Sequence, residues 1–327
     1  MRYLGNLQLF LLAAIAFWLL AGALVSVTVP VVVRRTTGWA PASRHRGLVL
    51  LGLAVPVLTL TALISVALPS LLASVWPELD HCAVHEGHPH LCFVHAWPHG
   101  DTLLGWGVIG SAALSLAPRL ATRASSLWNS LRLLDRLFAQ ARLDAERRTW
   151  VVPAEQPFCV SVGLIRPRIL VSAGLLVAAT EDELTIMLAH EAAHVRQRHT
   201  LTRLFVRAAS FPLLPQVRRA LLTALDLSAE QACDEAAAGQ VGDRLRVAET
   251  IVAMERRLVT TVNTHPLVAA FGASSVSQRV EAMLAPQRQA GAALSLGLLL
   301  SVLVVGVLCI SPPLHHVTES TLALLAH

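Results

Sequence analysis

The sequence predicts a mainly α-helical protein with four membrane spans and a cytoplasmic α+β domain between the third span and the fourth. Three observations carry this expectation: four long apolar runs, a one-sided distribution of arginine, and a mixed strand-and-helix pattern confined to residues 119–290. Hydrophobic residues make up 54% of the 327 and charged residues 14%, with a mean hydropathy of +0.59. Those values lie well away from the soluble-globular norm.

The apolar runs cover about residues 7–33, 48–75, 103–117 and 291–310. A span needs roughly 20 apolar residues, so the third run is the shortest fit. Pro56 and Pro69 fall inside the second run, where neighbouring groups in a membrane can satisfy the freed backbone. The first run reads as a retained anchor. It is too long for a cleaved signal, and its charges, Arg34 and Arg35, follow it instead of preceding it.

All 26 basic residues are arginine. Arg34, Arg35, Arg44 and Arg46 follow the first run, residues 76–101 contain none, and 21 lie between Arg119 and Arg288. The positive-inside rule therefore puts 119–290 in the cytoplasm and 76–101 outside. Residues 1–118 then form a membrane region of three spans, 291–310 the fourth span and 311–327 a short external tail, in the cell's inner (plasma) membrane. The net charge of +5 invites a nucleic-acid reading, but the arginines are spread out and topology accounts for them, so direct nucleic-acid binding is not expected.

The external loop carries Cys82 and Cys92 with His81, His85, His88, His90, His95 and His99. On an oxidising face the two cysteines are a candidate disulfide, and the imidazoles suit a transition metal. A solvated loop of biased composition is the plainer reading. Further on, residues 123–148 are expected to form an amphipathic helix, with Leu127, Leu131, Leu134 and Phe138 on its apolar face. It would lie on the inner membrane surface or lead into the domain. Residues 201–222, interrupted by Arg203, Arg207, Pro212 and Pro215, read as a membrane-apposed or core segment and not as a span.

The chemistry concentrates at His190-Glu-Ala-Ala-His194. Positions i and i+4 share one face of a helix, so both imidazoles can reach one zinc ion, and Glu191 is placed to act as general base. Thr180 and Glu183 form a capping box that starts this helix. A catalytic zinc takes three protein ligands and keeps one open position. Glu230 is the expected third ligand, on a helix over about 225–238. Asp234, one turn on, is placed to accept a hydrogen bond from the outer nitrogen of a ligand histidine. Cys233 is expected to face away from that pair. Residues 158–163 and 168–171 read as two short strands, the first an edge on which an extended peptide could pair.

These residues together resemble the BlaR/MecR-type antirepressor family of integral membrane zinc metallopeptidases. The resemblance runs from Gln156-Pro-Phe158 through Gly163-Leu-Ile-Arg-Pro-Arg-Ile169 and Leu188-Ala-His-Glu-Ala-Ala-His194 to Glu230 and Asp234. It implies a gluzincin fold, one Zn2+, His190, His194 and Glu230 as ligands, Glu191 as catalytic base and Asp234 behind a ligand. It also implies a regulatory protease that cleaves a winged-helix transcriptional repressor, or itself, in response to a signal. The best-known members carry a penicillin-binding sensor after the last span, and the residues 311–327 that follow it here leave no room for one. His265-Pro266 and Arg279-Val280 resemble the closing segment of the HtpX and CAAX-prenyl-protease family, which implies help at the oxyanion from His265 or Arg279. Two other readings stay open: an HtpX-like quality-control protease and a non-catalytic receptor that keeps zinc for structure.

Overall fold

The computed structural model describes residues 4–76, 78, 102–261, 266–288, 290–291 and 293–326. Cys82, Cys92, the six loop histidines and His265 lie outside the described residues. Among those described, helix dominates. Helices α1 (Leu4–Arg35) and α2 (Pro41–Val75) form an antiparallel pair around the short turn at 36–40. Pro41 starts α2 at a position where a missing N–H costs nothing. Within α2, Pro69 offers no N–H to the Ser65 carbonyl, four residues back. The Ser311 hydroxyl donates to that carbonyl instead.

Helix α3 (Leu103–Gln140) corrects an expectation. No separate surface helix spans 123–148; the helix that carries the third apolar run continues past the end of that run near residue 117. One 38-residue helix runs through both. Its only breaker is Pro118, and good helix formers on either side carry the chain past it. The chain then turns into strand. Strands β1 (Arg142–Asp144) and β2 (Thr149–Val152) form a hairpin with Arg148 in the left-handed region (φ 53°). Thr149, Trp150, Val151 and Val152 are strong strand formers, which explains why the amphipathic pattern ends as sheet.

β3 (Cys159–Val162) and β4 (Arg168–Ser172) form the second hairpin, as their patterning predicts. The sheet order is β1-β2-β4-β3, with β2 and β4 parallel and the other pairs antiparallel. β3 is therefore an edge. After α4 (Ala173–Ala178) comes α5 (Glu181–Gln197), the helix of the His-Glu-x-x-His motif. Its capping box is present: the Thr180 hydroxyl accepts from the Glu183 N–H at 3.2 Å, and the Glu183 carboxylate accepts from the Thr180 N–H at 2.9 Å. Arg257 also holds Glu183, at 2.9 Å. Thr180→Ala should cost about 1 kcal/mol of stability. A detergent-purified variant should melt a few degrees lower, and an unchanged melting temperature would argue against a stabilising cap.

Helices α6 (His199–Ala209), α7 (Pro215–Val241), α8 (Arg244–Thr261) and α9 (Pro266–Leu284) complete the domain. One core joins it to the first two helices: Val25 and Val29 of α1, Leu48 and Val55 of α2, Val206 of α6, and Leu221 and Leu225 of α7. Two glycines allow the approach. A Cβ on Gly52 would sit 2.5 Å from a Val206 methyl, and one on Gly22 2.9 Å from Pro212 Cβ. Burying each such Leu or Val contributes about 1.5–3 kcal/mol, so α6 and α7 are seated on α1 and α2 and do not hang from a linker.

Among the described residues three helices, α1, α2 and α3, are long and apolar enough to cross a membrane. The last segment is α10 (Ala293–Cys309) and α11 (Ser311–Ala326), bent by 70° where they meet. The 17 residues of α10 rise about 25 Å, short of a hydrocarbon core of about 30 Å, so the pair makes a fourth span only as a broken one. Residues 311–326 are helix, where a short tail was expected. His315 Nδ1 lies 2.6 Å from the Val66 carbonyl and its Nε2 3.0 Å from Glu319, which fastens α11 beside the Pro69 irregularity of α2.

Candidate metal centre

The α5 face presents His190, Glu191 and His194, and α7 crosses it with Glu230, Cys233 and Asp234. His190 Nε2 and His194 Nε2 are 3.1 Å apart. Glu230 Oε2 is 3.5 Å from the first and Oε1 3.5 Å from the second. Two ligands on a tetrahedral zinc with bonds of about 2.0–2.2 Å would stand about 3.3–3.6 Å apart. The three donors thus have the spacing of one coordination sphere.

The hydrogen bonds on the outer nitrogens agree with that fit. His190 Nδ1 lies 2.9 Å from Asp234 Oδ1, which places an N–H on Nδ1 and turns Nε2 toward His194. His194 Nδ1 lies 3.0 Å from His199 Nδ1, a contact that turns its Nε2 toward the His190 ring. Two imidazole nitrogens facing each other at 3.1 Å beside the Glu230 carboxylate form a donor set for one cation. Charge points the same way. Glu230 and Asp234 stand against one guanidinium, Arg279, with the Glu191 carboxyl beside them, an acid-rich lining that complements a cation.

Arg279 grips the acids from α9. Its Nε donates to Asp234 Oδ2 at 2.8 Å and its Nη2 to Oδ1 at 2.7 Å, while Nη1 is 3.3 Å from Glu230 Oε2. Burial alone would raise both carboxyls. The His190 hydrogen bond and the Arg279 charge overcome it and hold Glu230 down at about 2, and Arg279 and His190 likewise hold Asp234 below the usual range. Burial pulls His190 down, but Asp234 and Glu230 outweigh it and raise the imidazole to about 9. At His194 burial wins over the Glu230 charge and lowers the imidazole to about 4. Glu191 is pushed up by burial, against the pull of His190 and of a 2.6 Å hydrogen bond from the Ser161 N–H of β3.

Two residues here had no sequence reading as part of the site. His199, five positions after His194, buttresses that ring and is itself packed edge-on against His45 of α2, ring centroids 4.5 Å apart. Its spacing falls outside the i, i+4 rule because Arg198 interrupts the helix in the left-handed region (φ 52°) and turns α6 back across α5. Cys233 corrects an expectation. Its Sγ comes within 4.8 Å of a ligand-capable atom on each of His190 and His194, because a residue three positions after Glu230 lies on nearly the same helix face. It is fully buried, lies 3.5 Å from His199 Nδ1, and burial raises its thiol far above the usual value. As an acceptor for a divalent cation it is therefore a poorer third donor than the Glu230 carboxylate. His265 lies outside the described residues.

Clefts flank Glu191 and Glu230 on both sides. One, of about 180 Å³, is walled by Ile186, Met187, Ile251 and Met254; the other, of about 370 Å³, runs past Ser161, His194 and His199 to Arg203 and Asp226. No curated protein and no solved structure gives a significant match to the chain. The segment 132–264, which contains His190, Glu191, His194, Glu230 and Asp234, matches the family model described as Peptidase family M48, so the part of the chain that builds this centre is similar to a metallopeptidase domain.

Proposed function

We propose that the chain is a membrane-embedded zinc metalloendopeptidase, with one ion held by His190, His194 and Glu230. The observation that carries this reading is the convergence of those three donors at 3.1–3.5 Å, and the zinc dependence of M48 peptidases supports it. When bound, zinc would supply a Lewis acid for the scissile carbonyl and lower the pKa of the attacking water. The protein's residues do the rest. Glu191 takes the proton and returns it to the leaving amine. Asp234 and His199 fix the two ring orientations, and Arg279 holds Asp234 and Glu230 in place. For the oxyanion, His265 and Arg279 stay the residues the resemblance implies.

An extended peptide fits along β3. Ser161 N–H already points away from β4, toward Glu191, so the outer edge of β3 is open to main-chain pairing next to the general base. We place the domain in the cytoplasm on the arginine distribution, with α10–α11 as a fourth, broken span in the inner membrane. The regulatory reading, cleavage of a winged-helix repressor or of the chain itself, rests on the resemblance in motifs and span order. Broad cleavage of misfolded membrane proteins would favour quality control instead.

The direct test is zinc content. Wild-type protein purified in detergent should carry one zinc per chain and Glu230→Gln close to none. A Glu230→Gln protein with full zinc would remove that residue from the ligand set.

A further inference from the structure

A second polar cavity lies away from the metal centre, where α3 passes the elbow between α6 and α7. It measures about 560 Å³ and is lined by Arg119 and Arg123 of α3, Arg218 and Arg219 of α7, and Phe211 with Leu213 between them. Phe211 organises the wall. It stacks on Trp18 of α1 with centroids 5.8 Å apart, and the Arg119 and Arg123 guanidinium groups lie 5.7 and 5.1 Å from its ring centre.

The charge in this cavity is unbalanced. Asp226, on the same helix as Arg218 and Arg219, is taken by Arg203 at 2.7 Å and Arg207 at 3.8 Å. Among the described residues, none of the four lining arginines has an ion pair. Arg218 donates through Nη2 to the Arg207 carbonyl at 3.1 Å, and its Nε is buried with no partner. Burial and the neighbouring Arg123 and Arg207 lower its affinity for its own proton. Four guanidinium groups around one cavity, one of them with an unfilled buried donor, make a receptor for an anion.

The position says what kind of anion. Arg119 comes two residues after the apolar run of α3, whose large side chains, Leu103 at 93%, Leu104 at 67% and Leu114 at 77%, stand exposed along the helix. A lipid tail lying on those residues would bring its headgroup to the arginines, and basic pockets at the cytoplasmic ends of spans recognise anionic headgroups. We propose that this cavity binds a phosphate-bearing anion, delivered as the headgroup of an anionic phospholipid whose acyl chains lie along α3. The inference does not depend on the protease reading.

The test uses the full chain, delipidated in detergent, with thermal unfolding and native mass spectrometry as readouts. The probes are phosphatidylglycerol, phosphatidylcholine and sodium phosphate at matched ionic strength. Phosphatidylglycerol should raise the melting temperature and stay bound, and phosphatidylcholine should do neither. Arg123→Gln/Arg218→Gln should bind phosphatidylglycerol about 30-fold more weakly, at roughly 1 kcal/mol per arginine. Arg132→Gln/Arg136→Gln, with the same charge change further along α3, should bind as wild type. A shift from sodium phosphate as large as that from lipid supports the anion site and names a free phosphate as its source. Equal response of wild type to the two lipids overturns the proposal, whether or not the variants fold. Equal loss in both double variants overturns it too, since that pattern is general surface charge.

Discussion

Glu191→Gln should leave the zinc content unchanged and slow peptide hydrolysis by about 10²–10⁴-fold, the usual worth of a positioned general base. The substitution keeps shape and hydrogen bonding, since the Gln carbonyl can still accept from the Ser161 N–H that now lies 2.6 Å from Oε2. It removes only the ability to take a proton. Glu191 is outside the triangle of His190, His194 and Glu230, whose donors stand 3.1–3.5 Å from one another, so the metal site should survive. Cleavage of a peptide substrate, measured beside metal analysis of the same preparation, checks both halves. Undiminished hydrolysis would remove Glu191 as the base. A response to signal that persists with zinc bound and hydrolysis gone would favour the non-catalytic receptor.

The parts of this arrangement visible in the sequence are those governed by local periodicity. A four-residue step puts His190 over His194 and Glu230 over Asp234, and Thr180 with Glu183 marks the start of the first of those helices. The β3–β4 hairpin is likewise local, with Gly163 taking the positive φ (109°) its turn requires. What sequence could not supply is the set of long-range encounters. Nothing about residue 45 predicts that its ring meets His199, which depends on α6 seating against Gly52 of α2. Nor does spacing reveal that Arg279 reaches back across 45 positions to Asp234, because α9 docks on α7 through a long-range apolar cluster that gathers Met283 with Ala237 and Ala238 of α7, Ile186 of α5 and Val247 of α8. The continuous α3 was hidden for a different reason. A window on hydropathy sees a change from apolar to arginine-rich, whereas backbone propensity, which does not change there, decides whether the helix ends.

That long reach of Arg279 makes Arg279→Met the most damaging change short of the ligands themselves. Asp234 is 1% exposed and the guanidinium meets it with two hydrogen bonds at 2.7 and 2.8 Å, with a third nitrogen 3.3 Å from Glu230. Removing one partner of a buried pair leaves the other charge desolvated and unmatched, at a cost of about 3–5 kcal/mol. Asp234 also orients His190, so the loss should pass to the metal as a 10–100-fold weaker zinc affinity, the range seen when a residue behind a ligand is removed. Arg279→Lys restores charge without the planar fork and should fall between the two. A control separates site from scaffold. Arg244 bridges Glu235 at 2.6 Å to the Ala282 and Met283 carbonyls at the end of α9, without touching the metal-site acids. Arg244→Met should lower the melting temperature and leave zinc affinity near wild type. If Arg279→Met behaves the same way, Arg279 serves only to dock α9, and the ordering of the acids around the metal falls to α7 alone.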